Sequence, residues 1–481
     1  MMRVGARGES QRVTVRREVV ASAGAERRWS PKRKSAVAIG IALAFAGVGQ
    51  LVMAASPPPA FGTTPTPITH VVIFYDENHS FDNILGAFCN STVPARCDGA
   101  TSGQVATGQT IPLAPGPDVV PVVSHQGSGQ VGAINGGLMN GFSNIKGCGA
   151  PTYYCYETYQ KAAEPNAWGL ASKFAVSDRT FELNPVPTWG AHVELVTSLL
   201  DGFQGNNPTG TTGPGWGCDS GGVVNWSSTG LPPYQVVPSC VPTSKGKGAF
   251  RPTPVKWVPT IMDRLKASGK TWKIYAAPKS QGDYERAICP SFADCLDTSE
   301  VNNMVPSSQV LTDATAGVLP NFSILLPSGG PTGSTSEHNG QSMAVGDNWI
   351  GQVISSIETG PNWDSTAIFL TWDDCGCFYD HVPPPAGSGL GIRVPMIIIS
   401  PYAQAGYTDH NVASFASLLA FTEYALGVKP LSSVDAHAYN YLGAFNFNQS
   451  PIPGAAMVTT QEPAASKVQI RLHPPNSSDP T

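Results

Sequence analysis

The chain has 481 residues, of which 13% are charged, 51 are glycine and 43 are proline. This length can bury a large core, and the composition excludes a coiled coil or a highly charged disordered chain. Ten of the 29 Lys and Arg residues lie before position 35, so the remainder has 19 basic and 31 acidic residues, about −12 in charge, which excludes the basic surface typical of nucleic-acid binding.

The N-terminal segment has the pattern of an export signal. An uncharged run over 35–55 follows the basic residues, and small residues and then prolines follow that run. This order predicts a cleaved leader over 1–55, a Pro/Thr linker over 56–67 and an exported protein that is secreted, periplasmic or on the cell surface. The run is also long enough for a retained membrane anchor, and Arg27-Arg28 leaves the twin-arginine export route open.

The cysteines fall into close sequence pairs. An even number of cysteines in an exported chain predicts disulfide bonds, each closing a local loop. The five predicted pairs are Cys89/Cys97, Cys148/Cys155, Cys218/Cys240, Cys289/Cys295 and Cys375/Cys377. A bridge across the last pair would close a strained ring, because only one residue separates its cysteines.

Apolar runs and amphipathic segments alternate along the remaining chain. We predict strands over 68–75, 271–276, 322–326, 366–371 and 394–400, and helices over 167–176, 188–201, 259–269, 347–360 and 412–426. This alternation predicts an α/β fold with a mostly parallel central sheet and helices on both faces. We expect one domain over 68–449, with a loop excursion at about 203–256 closed by a disulfide, and a Pro/Ser-rich tail over 450–481.

Two of the predicted strands end in adjacent oxygen ligands. The first runs into Asp76, Glu77 and Asn78, and the other runs into Asp373 and Asp374. Ligands at the carboxyl ends of parallel strands can converge on one cation. We interpret Asp76 as a turn residue and the other four as metal ligands. The alternative for either cluster alone is an ordinary polar turn or helix cap.

Thr188 begins a predicted helix directly after Pro185 and Pro187. A hydroxyl at a helix N-terminus faces backbone N–H groups and the positive end of the helix dipole, which suits a phosphate and a nucleophilic oxygen. A plain capping role is the alternative.

Four histidines lie in predicted loops, some of them beside carboxylates. They are His125, His338, His381 and His410. Such histidines suit metal ligation or proton transfer to a leaving oxygen, and each taken singly could equally be a surface or hydrogen-bonding residue.

The segment ENHSFD at 77–82 resembles the opening ENRSFD motif of the bacterial phosphoesterase family, which includes secreted phospholipases C and certain secreted acid phosphatases. Further segments are similar to later family blocks, in family order between about 68 and 431. They are NGGLMNGF at 135–142, PTW at 187–189, SEH at 336–338, TAIFLTWDDCGCFYDHVPPP at 366–385 and GIRVPMIIISPYAQAGYTDH at 391–410.

The resemblance implies an alkaline-phosphatase-like fold and metal-assisted hydrolysis of a phosphoester. It implies a Thr188 nucleophile, metal ligands at Glu77, Asn78, Asp373 and Asp374, histidines around the phosphoryl group at His125, His338 and His410, and substrate contacts at His381 and His192. Two departures are that His79 replaces the motif arginine and that 190–192 (GAH) replaces a run of the Pro-Asn-Arg type.

The sequence therefore predicts a secreted, metal-dependent phosphoesterase of the phospholipase C or acid phosphatase type. The divalent metal could be Ca, Mg, Mn, Zn or Fe. The expected partner is a phosphate ester or phospholipid, with no nucleic acid and with membrane contact only through the substrate, and the oligomeric state is left open. The alternative is a non-catalytic secreted binding protein that retains the fold.

Overall fold

The computed structural model describes residues 66–245, 253–329 and 334–474. The predicted leader and nearly all of the predicted linker lie outside these residues. The described residues all belong to one compact unit, Pro58–Thr481. No helix within them is long and apolar enough to cross a membrane.

The regular elements follow the predicted alternation. The strands are β1 (His70–Asp76), β2 (Ser102–Gln104), β3 (Thr110–Pro112), β4 (Ala114–Pro115), β5 (Glu157–Thr158), β6 (Ala175–Ser177), β7 (Thr180–Phe181), β8 (Val223–Trp226), β9 (Gln235–Pro238), β10 (Trp272–Ala276), β11 (Met304–Pro306), β12 (Phe322–Leu325), β13 (Thr366–Trp372), β14 (Met396–Ile399), β15 (Thr408–Asp409) and β16 (Ala413–Ser414). The α-helices are α1 (Ala87–Cys89), α2 (Gly127–Ile134), α3 (Pro165–Lys173), α4 (Thr188–Thr197), α5 (Ile261–Ala267), α6 (Ala293–Leu296), α7 (Gln309–Thr315), α8 (Met343–Glu358), α9 (Phe415–Leu426), α10 (Ser433–His437) and α11 (Ala464–Leu472). A π-helical turn spans Asp82–Gly86, and short 3₁₀ turns span Asn135–Gly137, Phe142–Asn144, Tyr284–Arg286, Cys289–Ser291, Ser299–Asn303, Trp363–Ser365 and Leu442–Ala444.

The central sheet has the strand order β11-β10-β12-β1-β13-β14-β6-β15. Neighbouring strands are parallel except where β14 pairs with β13 and β6. The central pair β1 and β13 is in register from His70 opposite Thr366 to Asp76 opposite Trp372. The residues that follow these two strands therefore leave the sheet side by side, as the sequence predicts.

Each face of the sheet is covered by its own hydrophobic core. Val71 and Ile73 of β1 pack with residues of α4, α5 and α9 on one face. Val72 and Phe74 pack with residues of α3, α7 and α8 on the other face. The side chains alternate because successive strand residues point to opposite faces. The predicted α/β fold, with a mostly parallel sheet and helices on both faces, is confirmed.

The helix predicted over 347–360 begins earlier in the structure, at Met343. We expected Asp347 to cap this helix, but Asp347 lies buried inside α8. Its carboxylate instead accepts the backbone N–H groups of Asn166 (3.1 Å) and Ala167 (2.9 Å), at the start of α3. The first N–H groups of a helix have no acceptor within the helix, so Asp347 caps a neighbouring helix.

Four of the five predicted disulfides are confirmed: Cys89–Cys97, Cys148–Cys155, Cys218–Cys240 and Cys289–Cys295. The fifth prediction is wrong, because Cys375 and Cys377 are free, buried thiols. Between them Gly376 has a φ of +55° and packs so tightly that a Cβ there would lie 2.0 Å from the carbonyl oxygen of Asn78. The turn leaves the Cys377 N–H donating to the Cys375 sulfur at 3.0 Å instead of closing a strained ring.

The predicted excursion contains a hairpin of β8 and β9, enclosed by the Cys218–Cys240 disulfide. The predicted tail is partly bound to the domain. Val458 and Thr460 exchange hydrogen bonds with Asn166 of α3 and Asn348 of α8, and α11 follows at Ala464–Leu472. Composition alone did not reveal these contacts, because the backbone of one short segment makes them with two asparagine side chains distant in the chain.

Candidate active site

The carboxyl ends of β1 and β13 bring the four predicted metal ligands together, and all four side chains are buried. The N–H groups of Asn78 and Asp374 both donate to Asp373 Oδ1, at 3.0 and 2.8 Å. The Gly376 N–H donates to Asp374 Oδ1 at 2.7 Å. These bonds join the two strand ends and fix the orientation of both aspartates.

His192 of α4 belongs to the same group. Its Nε2 lies 3.7 Å from Asp373 Oδ2 and 4.0 Å from Glu77 Oε1. Its Nδ1 lies 2.7 Å from the carbonyl oxygen of Arg286, which can only accept, so Nδ1 carries the proton and Nε2 presents its lone pair to the carboxylates. Glu77, His192 and Asp373 can each place one ligand atom within 4.8 Å of the others. His192, the predicted substrate contact, therefore lies beside the predicted metal ligands and could itself offer a ligand atom.

The residues present fit a bound cation. Their facing atoms are buried and lack a hydrogen-bond partner of normal geometry, which is costly for polar atoms. These atoms are both Glu77 carboxylate oxygens, Asn78 Oδ1, His192 Nε2, Asp373 Oδ2 and Asp374 Oδ2. Oxygen ligands from strand ends with one imidazole form a donor set for a divalent metal.

Burial disfavours the ionised forms of the three carboxylates in this group. Burial raises the pKa of Asp373 to about 7, with the charge of Asp374 adding to the rise. Burial raises the pKa of Asp374 to about 8. Burial also raises the pKa of Glu77 well above its usual range, although Arg286 opposes this shift. A cation between these groups would keep all three ionised at neutral pH.

Thr188 is the first residue of α4 and is buried beside these carboxylates. Its side chain faces Asp373 and its N–H faces Asp374, and both contacts act to lower the pKa values of these aspartates against the larger effect of burial. The predicted position at a helix N-terminus is confirmed. The hydroxyl and the proposed metal ligands therefore lie on one side of the sheet edge.

His125 lies beside Asp374, and His338 packs against His125. His125 Nε2 is 3.9 Å from Asp374 Oδ2 and 3.4 Å from Asn78 Nδ2. The rings of His125 and His338 meet edge to face with 5.9 Å between their centroids. Burial lowers the pKa of His125 to about 4 and that of His338 well below its usual value. Both rings are therefore neutral at physiological pH.

The structure does not bring His410 to this group. Its ring hydrogen-bonds the Asp178 carboxylate at 2.9 Å, and its side chain is 65% exposed. It follows the edge strand β15, whereas the site lies at the central strands β1 and β13.

His381 lies in a separate ion-pair network. Its Nδ1 and Nε2 contact Asp82 (2.6 Å) and Asp98 (2.9 Å). Asp82, Asp380 and His381 are spaced as a metal-binding group, but the buried Arg393 guanidinium bonds both Asp380 oxygens at 3.1 Å and Asp82 at 3.2 Å. Arg393 thus supplies the positive charge that a metal would supply.

This network predicts a pH-dependent stability. Burial alone would lower the pKa of His381, but its hydrogen bond to Asp82 and the charge of Asp82 raise the pKa to about 9. Protonated His381 contributes its full stabilisation at pH values below about 6.5, the pKa of histidine in the unfolded chain. This stabilisation is lost as the pH rises through 9, the pKa in the folded protein. We expect the free energy of unfolding, measured with urea, to fall by at most roughly 3 kcal/mol between pH 6 and pH 10. His381→Gln should flatten that profile, and an equally steep profile in this variant would contradict the assignment.

His79, which replaces the motif arginine, is buried behind the site. Its Nε2 donates to the Glu337 carbonyl oxygen at 2.9 Å, its Nδ1 contacts Asn83, and its ring stacks on Phe378. It supports the loop that carries His338 and does not face the metal-ligand carboxylates.

Arg286 is the main feature of the site that our sequence interpretation missed. Its Nε lies 3.3 Å from Glu77 Oε2, and its carbonyl oxygen orients His192. It ends the 3₁₀ turn Tyr284–Arg286, between the excursion and the Cys289–Cys295 disulfide. No motif or periodicity marks it, and its closeness to a disulfide-closed loop is the only signal that the sequence carries.

Comparison with known proteins assigns residues 68–429 to the Phosphoesterase family. The chain is 26% identical over 273 residues to "Non-hemolytic phospholipase C" of Pseudomonas aeruginosa, covering 45% of this chain and 37% of that protein. It is 25% identical over 466 residues to "Phospholipase C A" of Mycobacterium tuberculosis, covering 82% and 81% of the two chains. It is 27% identical over 176 residues to "Non-specific phospholipase C1" of Arabidopsis thaliana, covering 29% of this chain and 32% of that protein. The chain therefore matches about a third of the length of the Pseudomonas and Arabidopsis proteins.

Among solved structures, "a Protein in the Alkaline Phosphatase Superfamily" from Vibrio parahaemolyticus aligns with a TM-score of 0.36 and 13% identity, covering 77% of this chain and 70% of that chain.

Proposed function

The chain belongs to the phosphoesterase family, and from this premise we propose that it is a metal-dependent phosphoric ester hydrolase with Thr188 as its nucleophile. The observation that carries the proposal is the convergence of buried, unpartnered ligand atoms on one side chain hydroxyl at a helix N-terminus. A fold kept only for binding has no need for carboxylates buried without partners, because such groups destabilise it.

Glu77, Asn78, Asp373 and Asp374 would hold the cation, with His192 as an imidazole ligand. A bound divalent metal would neutralise phosphoryl oxygens and favour the ionised form of a nearby hydroxyl or water. This donor set accepts Ca, Mg, Mn, Zn or Fe.

The remaining chemistry belongs to residues of the chain. Thr188 Oγ attacks phosphorus and loses its hydroxyl proton to solvent, while the bond from phosphorus to the leaving oxygen breaks and the leaving oxygen takes up a proton from solvent. The phosphoryl group is then held on Thr188 beside the N–H groups at the start of α4. His125 lies next to Asp374, His338 packs against His125, and burial lowers the pKa of both rings, so they suit accepting a proton from the water that then hydrolyses the phosphothreonine. The exposed His410 receives no role in this scheme.

The names of the relatives favour a phospholipid as the substrate, with a phosphomonoester as the alternative. We place the protein outside the cytoplasm, since four disulfides and the leader pattern suit an oxidising compartment.

The test is an assay of the exported, purified protein on phosphatidylcholine vesicles and on p-nitrophenyl phosphate, with each of the five metals added in turn to chelator-treated protein. We expect hydrolysis that chelator removes and one of the metals restores. Release of phosphocholine indicates phospholipase C activity, whereas activity on p-nitrophenyl phosphate alone indicates a phosphomonoesterase. Failure on both substrates with every metal would favour the non-catalytic alternative.

A further inference from the structure

We infer that Arg286 is a substrate-binding residue whose guanidinium contacts the phosphate group of the ester at Thr188. The inference rests on the proposed function and adds a residue outside every motif that resembles the family. Its basis is the position of a nearly buried cation within the carboxylate and histidine group.

Arg286 lies at the centre of the charges of the site. Its side chain is 12% exposed, and its Nε is 3.3 Å from Glu77 Oε2. Its charge acts on ionisable groups on every side of the site: Asp76, Glu77, Asp374, His125, His192 and His338. Within residues 66–245, 253–329 and 334–474, no other Lys or Arg forms an ion pair with Glu77, Asp373 or Asp374.

The segment that carries Arg286 is held in place from several directions. Asp283 pairs with the Arg286 guanidinium, and the Arg286 carbonyl oxygen accepts the His192 Nδ1–H at 2.7 Å. The Tyr284 hydroxyl donates to Asp219 Oδ2 at 3.0 Å, which links the segment to the disulfide-closed excursion. A cation that is already fixed loses little conformational entropy when it binds an anion.

The guanidinium is not fully used within the protein. Arg286 Nε is buried and has no hydrogen-bond partner of normal geometry, despite its closeness to Glu77. Guanidinium donors match phosphate oxygens well, and an unused buried donor costs free energy until such an acceptor arrives.

Arg286 lines a concave surface beside α4. This surface lies between α4 and the segment over 285–292, and the residues along it include Trp189, His192 and Phe292. Trp189 directly follows Thr188 at the start of α4. His79 cannot supply the missing positive charge there, since it lies behind the site and contacts Glu337 and Asn83.

The test compares Arg286→Gln and Arg286→Lys in the metal-loaded full chain. The matched control is Lys273→Gln. Lys273 lies on β10, and the change removes its partly buried ion pair with Asp313 of α7. Calorimetry measures the Kd of inorganic phosphate, and kinetics measures KM and kcat for the better substrate of the wild type. We expect Arg286→Gln to weaken phosphate binding and to raise KM by about tenfold or more, with unchanged metal content, and Arg286→Lys to weaken binding about threefold because an ammonium cannot make a forked contact. The control should match the wild type.

Wild-type phosphate affinity in Arg286→Gln would overturn the inference. Loss of metal with wild-type affinity after reloading would also overturn it, because Arg286 would then only position Glu77. If Arg286→Gln does not fold, an unchanged Kd in Arg286→Lys overturns the role of the guanidinium. A wild-type protein that neither hydrolyses an ester nor binds phosphate overturns the proposed function as well, whereas an active wild type with unaffected variants overturns this inference alone.

Discussion

Replacing Thr188 by alanine should lower kcat for a phosphate ester by at least about 10³-fold and leave the fold and the metal content intact. The hydroxyl is the only part of the side chain that can form a covalent bond to phosphorus, and it faces the Asp373 carboxylate. The proposed metal ligands are other residues, so the variant should still bind the metal. Steady-state kinetics and metal analysis of the same sample check both parts.

Two variants control this experiment. Thr188→Ser keeps a hydroxyl and should retain measurable turnover with a trappable phosphoenzyme. Thr197→Ala removes a buried hydroxyl from the other end of α4, where it bonds the Val193 carbonyl oxygen, and should keep wild-type kcat. Near-normal turnover in Thr188→Ala, or a phosphoenzyme in it, would refute the nucleophile assignment.

Replacing Asp373 by asparagine should remove metal binding and activity together. Asp373 is the central residue among the proposed ligands, because its Oδ1 accepts the N–H groups of Asn78 and Asp374 and its Oδ2 faces His192. We expect at least a hundredfold weaker metal affinity, measured by calorimetry. Without metal the variant should be as stable as the wild type or more stable, since it buries one fewer carboxylate beside Asp374.

Thermal unfolding gives the second readout. Metal at a hundred times its Kd should stabilise the wild type by about 2.7 kcal/mol and should not stabilise Asp373→Asn. Asp347→Asn is the matched control, because Asp347 is an equally buried aspartate that caps α3 away from the site. It should lower stability and keep the metal-induced shift. Full metal binding by Asp373→Asn would exclude Asp373 as a ligand.

The sequence reveals the parts of this site that follow regular elements. The β-branched runs that stop at Glu77 and Asp373 mark two strand ends, and the prolines before Thr188 mark a helix start, so these positions were predictable. His192 had a usable signal, since it lies four residues after Thr188 and therefore on the same face of α4.

Other features depend on contacts between distant segments. Arg286 enters the site from a short turn without periodicity. Asp347 caps a helix other than its own, and the turn between Cys375 and Cys377 is set by the close approach of Gly376 to Asn78. Local patterns cannot predict these features, because each is decided by an acceptor or a backbone atom far away in the chain.

The in-register pairing of β1 and β13 means that the proposed metal site would be completed late in folding. Asn78 and Asp373, which it joins, are 295 residues apart in the chain. A chain still emerging from the ribosome or a secretion channel holds Glu77 and Asn78 long before their partners arrive, and closing so large a loop requires the central sheet. The unfinished chain would therefore offer a cation only half of the proposed ligands, and the folded protein would select among the metals of its surroundings.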